Sequence, residues 1–318
     1  MIVSFVAGLL VTAASAATDR AVVAGQLNGA ANLHFSHVHR GGGRKEAPDN
    51  TLETFRWCWQ SGSGVECDCT YTKDGVGIML HDGNLKRTGR GLSAELATNS
   101  VRNLTWDQIK DVDVGLYQGK QFKGQHVPRI DAVFAALREN PKYLCFVDDK
   151  GFGPERMAAE AKKAGVQDQV FYTGKHVCYR QFAKWNEVMP GGRSLMWIGA
   201  WPKDRSDGER ARAEQYFRDA MKFLRAKNFK YITAVSIHSY YSAEDPVDKF
   251  IPSSKLLKEM VDEFHSHGIV CVSIPFAGGD KEETYRQLWN LGFDGFSTDY
   301  PSVMFKVIEE LSLPNVDA

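Results

Sequence analysis

HVHRGGGRKEAPDNTLETFRWCWQSGSGVECDCTYTKDGVGIMLHDGNLKR, residues 37–87, is the stretch around which the chain is organised. Val65 to Cys69 reads as a strand. Side chains on a strand alternate between faces, so Glu66 and Asp68 point the same way, about 7 Å apart. Two carboxylates at that spacing repel each other unless a cation lies between them. Thr72-Lys73-Asp74-Gly75 reads as a tight turn, with Asp-Gly as its strongest signal. The apolar run Val76 to Leu80 then returns as a second strand. Pairing through that turn brings His81 back beside Glu66 and Asp68. His39 closes an earlier strand, Leu33 to Val38, and Arg40 follows it. Two histidines, two carboxylates and an arginine are therefore expected in one place. Carboxylate oxygens suit Mg²⁺ or Ca²⁺, and an imidazole passes protons either way near neutral pH.

Outward from this stretch, strands alternate with helices. Asn50, with Glu53 three residues on, reads as the cap of a helix bearing Leu52, Phe55, Cys58 and Trp59 on its apolar face. Further strands are expected at 142–147, 170–172, 195–198, 231–237, 269–274 and 293–297. Helices are expected at about 130–139, 154–164 and 207–227, in one capped by Ser253 or Ser254, and in one opened by Asp280 and Glu283. Such alternation implies a parallel sheet. No Gly-x-Gly-x-x-Gly follows a first strand, which counts against a dinucleotide-binding sheet. The fold class is α/β: a (β/α)8 TIM barrel, with its site at the C-terminal ends of the strands. Nine strand candidates compete for eight places, so either 76–80 or 231–237 is irregular. Residues 84–128 break the alternation and are too long for an ordinary loop. They read as a small inserted subdomain over one barrel end, with a capping box at Thr105 and Gln108.

Lys+Arg and Asp+Glu both number 39, giving zero net charge. That balance gives no sign of a nucleic-acid partner. Residues 1–16 are apolar and end in Ala14-Ser15-Ala16, which reads as a signal peptide and implies a secreted or periplasmic protein. The run is shorter than the ~20 residues of a spanning helix, so no stable membrane span is expected. Residues 17–32 read as a loosely held arm, and 33–318 as the barrel domain. Of six cysteines, Cys67, Cys69, Cys145 and Cys271 lie in apolar strand-like runs that suit buried free thiols. No Cys-x-x-Cys pair exists, so no zinc cluster is expected.

The pattern His39-Arg40-Gly41, Pro48-Asp49-Asn50-Thr51, Glu66-Cys67-Asp68, Thr72-Lys73-Asp74-Gly75, His81-Asp82 and Arg87-Thr88 resembles the glycerophosphodiester phosphodiesterase family. Asp294 to Pro301 resembles that family's closing strand. The resemblance implies a metal-dependent hydrolase that converts glycerophosphodiesters to glycerol 3-phosphate and an alcohol. It implies Glu66 and Asp68 as metal ligands, and His39 and His81 as the acid–base pair. Phe146 to Lys150 resembles the family's Ile-Glu-Ile-Lys, with Asp148 in place of glutamate as third ligand and Lys150 as its lysine. Arg40 and Lys150 would offset phosphate charge, and Asn50 would support the His39 turn. His37 reads as a core histidine. Trp197, Trp201, Tyr240, Tyr241 and Phe276 are aromatics expected near the mouth. The family's Trp-Thr after the penultimate strand is missing from Cys271 to Phe276. That departure leaves open the same chemistry on a phospholipid or wall-polymer phosphodiester. A barrel that binds polyol phosphate without turnover is the remaining alternative.

Overall fold

The computed structural model describes residues 35–312. The expected signal peptide at 1–16, the arm at 17–32 and His34 lie outside them. Strands run at β1 (His37–Val38), β2 (Gly64–Tyr71), β3 (Gly77–Met79), β4 (Cys145–Asp149) and β5 (Val170–Lys175). They continue at β6 (Arg193–Ile198), β7 (Ala234–Tyr241), β8 (Phe250–Ile251), β9 (Val270–Phe276) and β10 (Gly295–Thr298). Parallel pairing follows the order β1-β2-β4-β5-β6-β7-β9-β10, and β1 pairs with β10 to close the ring. This is a closed eight-stranded parallel barrel with helices outside, as expected.

The ninth candidate is the hairpin strand. β3 pairs antiparallel with β2, matching Cys69 to Met79 and Tyr71 to Gly77, and takes no barrel place. The run at 231–237 is shifted instead: β7 begins at Ala234, after Tyr231 at φ 65°. β8, not expected, pairs antiparallel with β7. Two helices also escaped the pattern, Tyr179–Val188 and Pro301–Ser312. The strand expected at 142–147 begins later and runs through Asp149, which places Asp148 within the sheet.

Inside the ring, Phe35, Phe146 and Phe171 pack with Leu195, Ala234 and Val272. Phe146 and Phe171 stack at 4.6 Å. This plug fills the interior toward the strands' N-terminal ends, since these residues lie early on their strands. The C-terminal ends are left to polar side chains. A second, larger cluster lies between strands and helices and takes the outward residues Cys67, Cys69 and Cys145. All six cysteines are free thiols. Within 84–128, Leu85, Val101, Leu104, Ile109, Val112 and Val114 pack with Ile78 and Leu80 into a separate small core. Thr105 and Gln108 form the expected capping box there.

Candidate active site

The hairpin positions the first acids. Glu66 and Asp68 face the barrel axis from β2, and Leu80 N–H donates to the Asp68 carbonyl at 2.8 Å, which fixes where His81 emerges. Asp148 enters from β4, in register with Asp68. One oxygen each from Glu66, Asp68 and Asp148 lies within 4.8 Å of the others. All three residues are buried.

Their partners leave a charge imbalance. The Lys150 ammonium pairs with Asp148 and lies 3.3 Å from Asp68 Oδ1. Arg40 N–H donates to Glu66 Oε2 at 2.8 Å. Burial, then Asp68 and Asp148, pushes the Glu66 carboxyl well up. Burial also raises Asp148. Burial acts upward on Asp68 too, but Lys150, His81 and Arg40 outweigh it and hold that carboxyl down. Lys150 is raised, since Asp148 and Asp68 outweigh its own burial. Three buried carboxylates facing one ammonium form an oxygen cradle whose repulsion a dication relieves. The donor set therefore fits Mg²⁺ or Ca²⁺.

Each flanking histidine is braced by an aspartate. His39 Nδ1 meets Asp299 Oδ1 at 2.8 Å, and His81 Nδ1 meets Asp82 Oδ1 at 2.7 Å. A neutral imidazole that donates from Nδ1 keeps its lone pair on Nε2, free for proton exchange. Arg87 Nε donates to Asp82 Oδ2 at 2.7 Å, and its Nη2 lies 2.8 Å from Asp49 Oδ2. Tyr117 hydroxyl donates to Asp49 Oδ1 at 2.9 Å and accepts from Asp49 N–H at 2.8 Å. Residues of the 84–128 segment thus fasten the His81 brace to the loop after β1.

That loop is strained in a definite way. Arg40 and Asn50 have φ of 56° and 53°. This turns the Arg40 amide onto Glu66 and lets Asn50 N–H donate to the Arg40 carbonyl at 2.8 Å. Asn50 does not cap the helix Leu52–Gln60; Thr51 does, one residue later. The Asn50 side chain instead clasps Asp68, donating to Oδ2 and accepting from its amide, both at 2.9 Å. Gly41 permits close approach to the chain itself, since a Cβ there would lie 2.4 Å from Phe55.

A cavity of about 220 Å³ joins these groups. His39, Arg40, Glu66, Asp68, His81, Asp148 and Lys150 all line it. Arg40 does so with its charge already engaged: Nη1 donates to Asp49 at 3.2 Å, and Nε lies 3.8 Å from Asp68. His37 is buried at the floor of the cavity, tilted over Phe146 at 4.4 Å and bonded to the Phe35 carbonyl at 2.9 Å. Of the expected mouth aromatics, Trp197, Trp201 and Phe276 line the cavity, and Tyr240 packs behind Phe276. Tyr241 packs on Phe250, away from it. Arg44, Asp299 and His238 are lining or bracing residues that sequence reasoning missed. Asp299, directly after the last strand, was the one with a positional signal. A larger groove of about 470 Å³, between outer helices at Asp131 and Glu160, shares no residue with the acids. His265, Cys271 and Asp294 also converge, at the other barrel end, where Asp294 already accepts from the Cys271 amide and meets His265 Nε2.

Fold and site together define an eight-stranded α/β barrel with an acid-lined, imidazole-flanked pocket. Residues 39–189 match the model of the glycerophosphoryl diester phosphodiesterase family. It is 34% identical over 101 residues to a glycerophosphodiester phosphodiesterase of Caldanaerobacter subterraneus, covering 31% of this chain and 39% of that one. It is 32% identical over 146 residues to glycerophosphodiester phosphodiesterase 1 of Homo sapiens, covering 44% and 41%. The matches thus span about two fifths of those relatives' length. Solved structures share the fold across nearly their whole length. The Agrobacterium tumefaciens glycerophosphodiester phosphodiesterase has a TM-score of 0.61 at 20% identity, over 86% of this chain and 99% of that one. An Oleispira antarctica phosphodiesterase, solved with the product sn-glycerol-3-phosphate, has 0.61 at 16%, over 89% and 100%.

Proposed function

We propose that this protein is a divalent-metal-dependent phosphodiesterase that hydrolyses glycerophosphodiesters to glycerol 3-phosphate and an alcohol. One observation carries the reading: three buried carboxylates and two aspartate-braced imidazoles open onto a single cavity. Glu66, Asp68 and Asp148 hold the cation. When bound, it supplies positive charge to phosphate oxygen and lowers the pKa of a coordinated hydroxyl.

Lys150 brings a second positive charge to the same cradle, and Arg44, 3.9 Å from Asp299 Oδ2, also lines the cavity. One imidazole takes the proton of the attacking hydroxyl at Nε2. The other, protonated, gives its Nε2 proton to the departing alkoxide. Asp299 and Asp82 hold both rings in orientation and stabilise whichever is charged. A neighbouring substrate hydroxyl attacks first to give a cyclic phosphate, which water then opens. The net reaction consumes one water.

The segment 84–128, through Ser100, Val101 and Arg102, shapes the space that adjoins His81 and Lys150. The apolar leader at 1–16 supports export. The test is hydrolysis of a panel of phosphodiesters, with and without Mg²⁺ or Ca²⁺, followed by phosphorus NMR. Release of glycerol 3-phosphate only with the cation is the expected result. Cleavage of phospholipid or polymer diesters alone, to which the altered 271–276 region lends weight, would replace the substrate and keep the chemistry. Binding of polyol phosphates with no turnover would sink the catalytic reading.

A further inference from the structure

The cavity wall opposite the acids is built differently from what the resemblance leads one to expect. No tryptophan stands in β9 or in the loop directly after it. The indoles come instead from β6 and the loop after it, Trp197 and Trp201, and between them stands His238 from β7. His238 lies parallel to Trp197 at 5.1 Å, and Trp201 and Phe276 meet it edge-on at 5.4 and 4.9 Å. The residue is 8% exposed.

Its two nitrogens have different surroundings. Nδ1 is sealed and has no hydrogen-bond partner. It is pressed against Gly199, where an added Cβ would lie only 2.2 Å away. A nitrogen so confined has no acceptor for a proton, so Nδ1 carries the lone pair and Nε2 carries the hydrogen. The ring's other edge lies on the cavity. Burial, then the charges of His39 and Lys175, holds this imidazole down at about 3, so it is neutral. Of the two nitrogens only Nδ1 is sealed without a partner, so the Nε2 N–H opens on the cavity, where a ligand hydroxyl can accept from it.

We propose that His238 is the specificity residue that reads a hydroxyl on the small polyol arm of the substrate, donating to it from Nε2 while Trp201 and Phe276 cover the arm's carbon face. This deepens the phosphodiester reading and rests on it. The size of the cavity favours a small arm, since drug-sized ligands need about 300–1,000 Å³. Charge disfavours a cationic one. The Lys175 ammonium lies 5.4 Å over the Trp197 ring, and Arg44 and Lys150 line the same space. Aromatic faces alone would attract a quaternary ammonium, but on this wall the Trp197 face is already taken by the Lys175 ammonium.

The test compares binding of glycerol 3-phosphate with 1,2-propanediol 1-phosphate, which lacks only the terminal hydroxyl. Affinities are measured by calorimetry with Mg²⁺ present. The wild type should prefer glycerol 3-phosphate about tenfold, the yield of one well-placed hydrogen bond. His238→Gln places an amide where Nε2 stands and should keep most of the preference. His238→Asn places one where Nδ1 stands and should bind both compounds alike. Wild-type binding of both without discrimination overturns the role of His238 and leaves the phosphodiester reading standing. An unchanged preference in a folded His238→Asn protein does the same. Failure of the wild type to bind either phosphate overturns both readings together.

Discussion

His39 and Asp299, 260 positions apart in the chain, meet through a 2.8 Å hydrogen bond between Nδ1 and Oδ1. β1 and β10 are neighbours that close the barrel, so the first and last strands jointly build half of the proton-transfer apparatus. Asp299 touches no reacting atom and acts as a positioning residue. Asp299→Asn should lower kcat about 10–100-fold, with KM little changed. A loss confined to KM would place Asp299 in substrate binding instead.

The acid cradle predicts a dependence on divalent ions. Exhaustive chelation should abolish turnover, and Mg²⁺ or Ca²⁺ should restore it. Glu66→Gln should be inactive yet folded. Because Glu66 is buried against Asp68 and Asp148, neutralising it removes repulsion. In the chelated state the variant should therefore melt no lower than wild type, and slightly higher by calorimetry. Full activity after chelation would refute the metal assignment.

The hairpin was the most legible part of this site. Alternation along β2 and an Asp-Gly turn suffice to bring Glu66, Asp68 and His81 together, because each step is local. Asp148 and Lys150 needed a second strand and were reached only through the resemblance. The braces were hidden for different reasons. Asp299 depends on ring closure, which no local pattern encodes. Asn50 read locally as a cap, and only the resemblance gave it a place at the His39 turn, because helix capping and an inward clasp on Asp68 use the same amide, and a φ of 53° decides between them. The strand count was ambiguous because β3 is as apolar as a barrel strand; it is covered by the 84–128 segment rather than by a barrel neighbour.

His37 supplies a pH prediction. Burial holds its imidazole down at about 4, against 6.5 in the open. A depressed folded value means that the unfolded chain takes up the proton first. Its contribution is present above pH 6.5 and is lost as pH falls toward 4. The full shift corresponds to roughly 3 kcal/mol. Urea unfolding between pH 7 and 4 should show this slope, and His37→Gln should flatten it. An equal slope in the variant would assign the acid sensitivity elsewhere.

Tyr117 ties the 84–128 segment to Asp49, and Asp49 holds both Arg40 and Arg87. Tyr117→Phe leaves the Asp49 amide without its acceptor, a loss of about 1–3 kcal/mol if it stays buried. Catalysis should fall less than selectivity among diesters of different size, because Ser100, Val101 and Arg102 of the segment line a space adjoining His81 and Lys150 while the acids remain in place. Unchanged kinetics across a substrate series would show that the segment is only a cover.

The two imidazoles give the sharpest test. His39 follows β1 and His81 follows the hairpin begun by the cradle's carboxylates, and both line the one cavity. In-line displacement at phosphorus requires a base on the bond being made and an acid on the bond being broken. Both rings are braced alike at Nδ1, so geometry leaves the division of labour to experiment. Losing one proton carrier costs about 10²–10⁴ in rate. His39→Ala and His81→Ala should therefore each lower kcat at least ~100-fold, with substrate binding much less affected. A p-nitrophenyl diester separates them, since that leaving group departs without a proton. The variant that recovers on it has lost the general acid, and the one that does not has lost the base. Near-wild-type rates for both variants on an unactivated diester would rule out the acid–base scheme.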